Sequence, residues 1–136
     1  MSSHPMNDTV LRAVHELEAD FPSHRVEAHP DGEGGAIVRV HDLSVGDTYE
    51  PSRVWVTFRI VYTYPTADIY PHYFPESFQR RDGRPLGEAF STTVVELGPF
   101  KGSMTMASRK SNRWNAARDT AALKLHMVLE WVRNRP

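Results

Sequence analysis

Two kinds of side chain in this sequence could carry out covalent chemistry: a group of serines near the C-terminal end and a histidine in an aromatic segment. Ser103, Ser108 and Ser111 lie close together before the last predicted helix, where a hydroxyl could accept an acyl group as an oxyester. This chemistry needs an activating base and an oxyanion site, and the sequence identifies neither. The alternative is that these serines are ordinary surface hydroxyls.

The histidine of interest is His72, which stands among Tyr70, Tyr73 and Phe74. An imidazole titrates near neutral pH, so His72 is a candidate general base. The aromatic neighbours favour the alternative interpretation, in which His72 is a partly buried side chain that anchors its loop.

A group of basic residues surrounds Ser111 in the sequence and includes Arg109, Lys110, Arg113 and Arg118, with Trp114 among them. Guanidinium groups bind carboxylates with two parallel hydrogen bonds, and we predict that Arg109, Arg113 and Trp114 bind an acidic partner. Trp114 has an alternative role as a core residue that directs the chain into the last helix. Nucleic acid is not expected as a partner, because the net charge is −1 and no known nucleic-acid-binding motif is present.

The residue types that are missing exclude several classes of chemistry. The chain has no cysteine, which rules out disulfides, thiolate metal sites, cysteine nucleophiles and thioester intermediates. Its histidines lack the paired spacing of a metal-binding motif, and its glycines form no phosphate-binding loop. We therefore expect neither a metal nor a cofactor.

Length and composition indicate one cytosolic domain that covers residues 1–136. Hydrophobic residues make up 40% of the chain and charged residues 24%, as is usual for a globular protein. No apolar run is long enough to span a bilayer and the N-terminus lacks the pattern of a signal peptide, so we expect no membrane association.

Charge is distributed unevenly along the chain. Residues 1–50 carry 10 acidic and 3 basic side chains, whereas residues 101–136 carry 2 acidic and 8 basic ones. An acidic partner for the basic end would explain this asymmetry. A self-complementary packing of the two ends, or simple exposure to solvent, would explain it equally well.

The hydrophobic pattern predicts an α+β fold. An apolar stripe at three- and four-residue spacing predicts a helix over residues 8–21, and a broader stripe predicts a second helix over residues 116–133, capped by Asn115. Between them, β-rich segments predict an antiparallel meander of four strands with the first helix on its apolar face. The predicted strands cover residues 24–29, 36–43, 54–64 and 90–97, and the segment 98–114 is predicted to be irregular or only briefly extended.

The proline-rich segment YTYPTADIYPHYFP, residues 62–75, directly follows the most β-like stretch of the chain. Proline has no N–H to donate to a β-ladder, so the three prolines are expected to end the strand and to stiffen an extended loop. The tyrosines of this loop are expected to pack back on the domain.

The order of these elements resembles the ubiquitin-conjugating enzyme fold and its RWD relatives. Those families place a Tyr-Pro motif and further prolines directly after the third strand, where Tyr64 and Pro65 stand here. The segments DGRPL (82–86), SRKSNRWNAARD (108–119) and HMVLEWV (126–132) resemble a prokaryotic family of ubiquitin-conjugating-like proteins, found beside ubiquitin-like proteins, activating enzymes and metal-dependent peptidases. The matching positions are Ser108, Arg109, Asn112, Arg113, Trp114, Asp119, His126 and Trp131.

The sequence departs from the conjugating-enzyme pattern at the residues that perform thioester chemistry. The cysteine is missing, and Tyr70-Pro71-His72, which is nearest to the usual His-Pro-Asn element, has no asparagine. Lys110 stands where the prokaryotic family has a histidine. The resemblance therefore implies a protein that binds or positions a ubiquitin-like protein or its activating enzyme without forming a thioester.

Two alternative functions remain open. The first is a non-canonical conjugating enzyme that carries the ubiquitin-like protein as an oxyester on a serine or threonine hydroxyl. The second is an RWD-like protein interaction domain that has no connection with ubiquitin-like proteins.

Overall fold

A computed structural model of the chain describes residues 4–111 and 113–135. Over these residues the chain forms two helices and eight strands. Six strands make one antiparallel sheet and two short strands pair separately. In chain order the elements are α1 (Asp8–Asp20), β1 (Val26–Pro30), β2 (Ala36–Ser44), β3 (Tyr49–Glu50), β4 (Arg53–Ile60), β5 (His72–Pro75), β6 (Gln79–Arg80), β7 (Phe90–Leu97), β8 (Phe100–Ala107) and α2 (Ala121–Arg133).

The predicted α+β class is confirmed, with a helix before and after an antiparallel sheet. The predicted number of four sheet strands is wrong, because β5 and β8 also join the sheet. The strand order is β1-β2-β4-β5-β8-β7, and β3 pairs with β6. Within the segment 98–114, predicted to be irregular or only briefly extended, residues 100–107 thus form the strand β8.

The unexpected central strand β5 comes from the end of the proline-rich segment. Pro71 precedes β5 and Pro75 is its last residue, so the prolines bound the strand and leave its interior free to pair. His72 and Phe74 are buried while Tyr73 is only half-buried, which is the alternation of a strand. β5 pairs with β8 along its whole length but meets β4 at a single register pair.

Both helices pack on the same face of the sheet and share one hydrophobic core with it. Asn7 caps α1 by accepting the Val10 N–H at 2.9 Å, and the buried stripe of α1 includes Val10 and Leu17. β4 contributes the predicted alternation through Phe58 and Ile60. Full burial of one such side chain stabilises the fold by roughly 2 kcal/mol, so packing on the sheet stabilises these short helices.

The C-terminal helix begins at Ala121 and not at residue 116 as predicted. Thr120 caps it by accepting the Leu123 N–H at 3.1 Å. Asn115 instead caps a separate turn, in which its side chain accepts the Ala117 N–H at 2.9 Å. The two situations look alike in a sequence, because a short polar side chain bonds a nearby backbone N–H in both.

The sheet curls, so that its last hairpin returns over its first strands. The Arg39 guanidinium on β2 lies 3.7 Å from the ring centre of Trp55 and 3.9 Å from that of Phe100, although β8 is three strands away from β2 in the sheet. A side chain on Gly98, at the hairpin turn, would come within 3.0 Å of Ile37 on β2. The face opposite the helices is therefore filled by a second apolar cluster, formed by Ile37, Val95, Phe100 and Met104.

Candidate partner-binding site

A cavity of about 420 Å³, here called the first cavity, lies between α2 and residues 108–119. Residues 108–119 are here called the basic segment. The predicted partner-binding residues and one candidate serine line the first cavity together, namely Arg109, Arg113, Trp114 and Ser111. Its other lining residues are Lys110, Arg118, Asp119, Lys124, Met127 and Val128.

The basic segment is held in place by the proline-rich segment. The Ser111 N–H donates to the Asp68 carboxylate at 2.7 Å, and the Trp114 indole N–H donates to the Pro65 carbonyl at 2.7 Å. Trp114 is half-buried against the main core, so it both directs the chain towards α2 and forms part of the cavity wall. The proline-rich segment therefore fixes the position of the basic segment, which forms one wall of the cavity.

A buried ion pair joins the proline-rich segment to α2 at this cavity. The Lys124 Nζ lies 3.1 Å and 3.3 Å from the two carboxylate oxygens of Asp68, and the two side chains are only 3% and 8% exposed. The Ser111 hydroxyl completes the group, because it accepts from the Lys124 ammonium at 2.5 Å and donates to Asp68 at 3.2 Å. This cluster ties α2, the basic segment and the proline-rich segment together.

The protonation of this cluster follows from its burial and its hydrogen bonds. Burial lowers the pKa of Lys124, against the opposing effect of Asp68. Burial alone would raise the pKa of Asp68, but the Ser111 N–H and the Lys124 ammonium outweigh it and lower that pKa. Asp68 is thus held as a carboxylate beside its ammonium partner.

The hydrogen bonds of Ser111 do not prepare its hydroxyl for nucleophilic attack. A serine nucleophile needs a neighbouring base that can take its proton. Lys124 donates to the hydroxyl and is paired with a carboxylate. Asp68 also accepts the Ile69 N–H and has a lowered pKa, which makes it a weak base.

The sequence alone does not identify Asp68 or Lys124 as members of the partner-binding site. Lys124 lies three residues after Ala121 and four before Val128, on the buried stripe of α2. A charged residue on such a stripe must find a partner inside the fold, and this signal would have identified Lys124. Asp68 carries no comparable signal, since aspartate is common in turns and loops.

Five basic side chains and one acidic side chain line the first cavity, and the buried Asp68 carboxylate pairs with one of the five, Lys124, so the cavity keeps an excess of positive charge. The acidic one, Asp119, lies 3.8 Å from Arg118. Arg113 has no acidic partner among the described residues, and the Arg109 guanidinium lies 5.0 Å from the ring centre of Trp131. Guanidinium groups that are not neutralised attract carboxylates and phosphates into a concave site.

A second cavity of about 500 Å³ continues along α2. It shares Arg109 and Met127 with the first cavity, and Met127 is 55% exposed between the two. Together they form one groove along the outer side of the helix, here called the α2 groove. The second cavity is also lined by His126, Glu130, Trp131 and Asn134.

The other candidate catalytic residues are not among the side chains that line the first cavity. His72 is fully buried with its ring 5.1 Å from that of Phe58, and burial lowers the pKa of His72 to about 3. A neutral imidazole without solvent access does not fit the role of a general base. Ser103 and Ser108 are exposed, and neither is among the described residues that line the cavity. Asn112, a position of the family resemblance, lies outside the described residues.

Within the described ranges, no group of three or more histidine, aspartate or glutamate side chains is placed to hold a metal ion. Neither helix of the described chain has the length and apolar character needed to cross a membrane. In comparisons with known proteins, no protein family, curated protein or solved structure matches this chain.

Proposed function

We propose that this chain is a ubiquitin-conjugating-like protein that binds or positions a ubiquitin-like protein or its activating enzyme without thioester chemistry. The observation that carries the proposal is the first cavity, in which Arg109, Arg113 and Trp114 come together. A positive concave surface suits an acidic segment of a partner protein. The chain order adds support, because Tyr64 and Pro65 follow β4 after three intervening residues and α2 closes the chain.

The surroundings of Ser111 favour binding over covalent carriage. To form an oxyester, the Ser111 hydroxyl must lose its proton to a base. Its two polar neighbours, Lys124 and Asp68, are instead paired with each other as a buried ammonium and carboxylate. The hydroxyl has a structural role in this arrangement, because it is the third member of a cluster that holds the basic segment.

The test uses a ubiquitin-like protein and an activating enzyme, which the proposal expects to be encoded near the gene for this chain. Isothermal titration calorimetry measures the binding of each to the wild type, to Arg113→Glu and to Arg12→Glu. Arg12 is exposed on α1, so its reversal changes net charge as much as the cavity variant does. We expect Arg113→Glu to weaken binding about tenfold or more and Arg12→Glu to bind as the wild type does. Failure of both partners to bind would contradict the proposal and favour an interaction domain with other partners.

Covalent carriage is tested in the same mixture after ATP is added. The proposal expects no adduct on denaturing gels. An adduct that survives thiol reductant, is cleaved by hydroxylamine and is lost in Ser111→Ala would show that the chain is an oxyester carrier. Ser103→Ala and Ser108→Ala are the matched controls for that loss.

A further inference from the structure

We infer that the α2 groove binds an extended acidic peptide. The carboxylates of this peptide meet the basic side chains of the first cavity, and an apolar residue that follows them packs against Met127 in the second cavity. The inference rests on the proposed function, because it describes the part of the partner that this chain recognises.

The length of the α2 groove fits a short peptide in an extended conformation. The groove runs from Lys124 in the first cavity to Asn134 at the far end of the second. A helix rises about 1.5 Å per residue, so this distance is roughly 15 Å. An extended chain advances about 3.3 Å per residue, and about five residues therefore span the groove.

Charge and polarity change along the α2 groove and set the order of residues in the peptide. With Lys124 paired to the buried Asp68 carboxylate, the first cavity still has four basic side chains against one acidic side chain, so it suits carboxylates. In the second cavity Glu130 is balanced by Arg109, so this cavity has no excess of positive charge to attract a further carboxylate. Met127, which is 55% exposed, offers a flexible apolar contact at the junction of the two cavities. The favoured peptide is acidic at one end and apolar at the other.

The same geometry disfavours a nucleic acid as the occupant. Proteins that bind single strands stack the bases on open aromatic faces. The ring of Trp131 is instead stacked on Phe90 at 5.4 Å, with the Arg109 guanidinium 5.0 Å from its centre. Trp114 is packed against the core with its N–H bonded to Pro65. The basic residues of the groove therefore lack the stacking partners that a nucleic acid needs.

The experiment measures the fluorescence anisotropy of a fluorescein-labelled peptide, Asp-Asp-Asp-Gly-Leu, as the full chain is added. Two matched peptides carry Asn in place of each Asp or Ser in place of Leu. We expect the Asn peptide to bind at least about tenfold more weakly and the Ser peptide about threefold more weakly. Binding of the acidic peptide should also weaken as salt is added, because exposed charges are screened.

Two variants of the groove separate its charged and apolar contacts. Arg113→Gln should bind the acidic peptide about tenfold more weakly, whereas Met127→Ser should remove the preference for Leu over Ser. Arg12→Gln, on the exposed side of α1, is the control and should bind as the wild type does. Circular dichroism confirms that each variant is folded.

Three outcomes would overturn the inference. They are equal binding of the Asp and Asn peptides, no effect of Arg113→Gln, and tighter binding of a labelled oligothymidine with the same number of charges. If the acidic peptide binds the groove but neither the ubiquitin-like protein nor the activating enzyme does, the inference stands and the proposed function is wrong. If a partner binds but the peptide does not compete and Met127→Ser has no effect, the proposed function stands and the inference is wrong.

Discussion

Acidification should destabilise this fold through His72, the fully buried histidine of β5. In the unfolded chain its pKa has the ordinary value of 6.5, and in the folded chain burial lowers that pKa to about 3. Between these values the unfolded state binds a proton that the folded state does not bind. The stability that depends on a neutral His72 is therefore complete above pH 6.5 and is lost as the pH falls towards 3, by up to about 1.4 kcal/mol for each pH unit.

The variant His72→Leu, which has no titrating group at this position, separates the stability lost through His72 from that lost through other groups. From about pH 7.5 to about pH 4.5 the loss due to His72 amounts to roughly 2–3 kcal/mol, a large part of the stability of a domain of this size. Despite burial, hydrogen bonds lower the pKa of Asp31 and Asp68. These two carboxylates therefore lower the stability in acid of the wild type and of the His72→Leu variant alike. Neither ring nitrogen of His72 has a hydrogen-bond partner among the described residues, so the leucine variant gives up no hydrogen bond within that part of the chain.

The assay is urea unfolding, followed by far-UV circular dichroism at several pH values. Between about pH 7.5 and about pH 4.5, His72→Leu should lose roughly 2–3 kcal/mol less free energy of unfolding than the wild type does. His15→Gln removes an exposed histidine on α1 and should follow the wild type. Parallel losses for His72→Leu and the wild type would refute the reasoning, because they would mean that His72 titrates alike in both states.

Three further changes test two contacts at the site and one close approach in the turn between β1 and β2. Lys124→Met leaves the Asp68 carboxylate buried without its partner and should lower the free energy of unfolding in urea by about 3–5 kcal/mol; a loss below about 1 kcal/mol would contradict a buried pair. Trp114→Phe removes the hydrogen bond to the Pro65 carbonyl and should cost about 1 kcal/mol in thermal unfolding, whereas an unchanged midpoint would count against that bond. Gly35→Ala places a methyl group against the backbone of β4 and should cost about 1–3 kcal/mol in urea unfolding; wild-type stability would show that the turn has more room.

Periodicity predicts α1 and β4, because α1 has a complete apolar stripe and β4 alternates over most of its length, although β4 ends at Ile60 and not at the predicted residue 64. β1, β2 and β7 are predicted from their β-rich composition and the turn signals beside them, and β1 and β7 show no regular alternation of burial. β7 occupies residues 90–97 as predicted, and α1 ends one position before its predicted end at residue 21. Periodicity does not predict β5, because this strand has only four residues and lies between Pro71 and its own last residue, Pro75. Its place is decided by pairing with β8, which no local pattern reveals. β8 is itself obscured by Gly102 and Ser103, which interrupt its apolar positions.

Local sequence patterns likewise predict only some of the residues of the candidate site. The basic side chains of the first cavity can be recognised in the sequence, because they are concentrated in one short segment. Asp68 and Lys124 are far apart in sequence and meet only when α2 packs beside the proline-rich segment. The sequence leaves open whether His72 is a general base or a partly buried anchor, and its aromatic neighbours do not indicate that a central strand carries it fully into the core.

The curled sheet has a consequence for the rate and order of folding. β5 follows β4 closely in the chain, but its other partner lies in β8, beyond the long stretch between residues 75 and 104. Arg39 likewise meets Phe100 only after most of the chain has been made. Contacts between distant positions require long loops to close before they stabilise anything, and chains that depend on them fold slowly. During synthesis, the first helix and the first three sheet strands should therefore stay incompletely folded until β8 and α2, which complete the sheet and the main core, have left the ribosome.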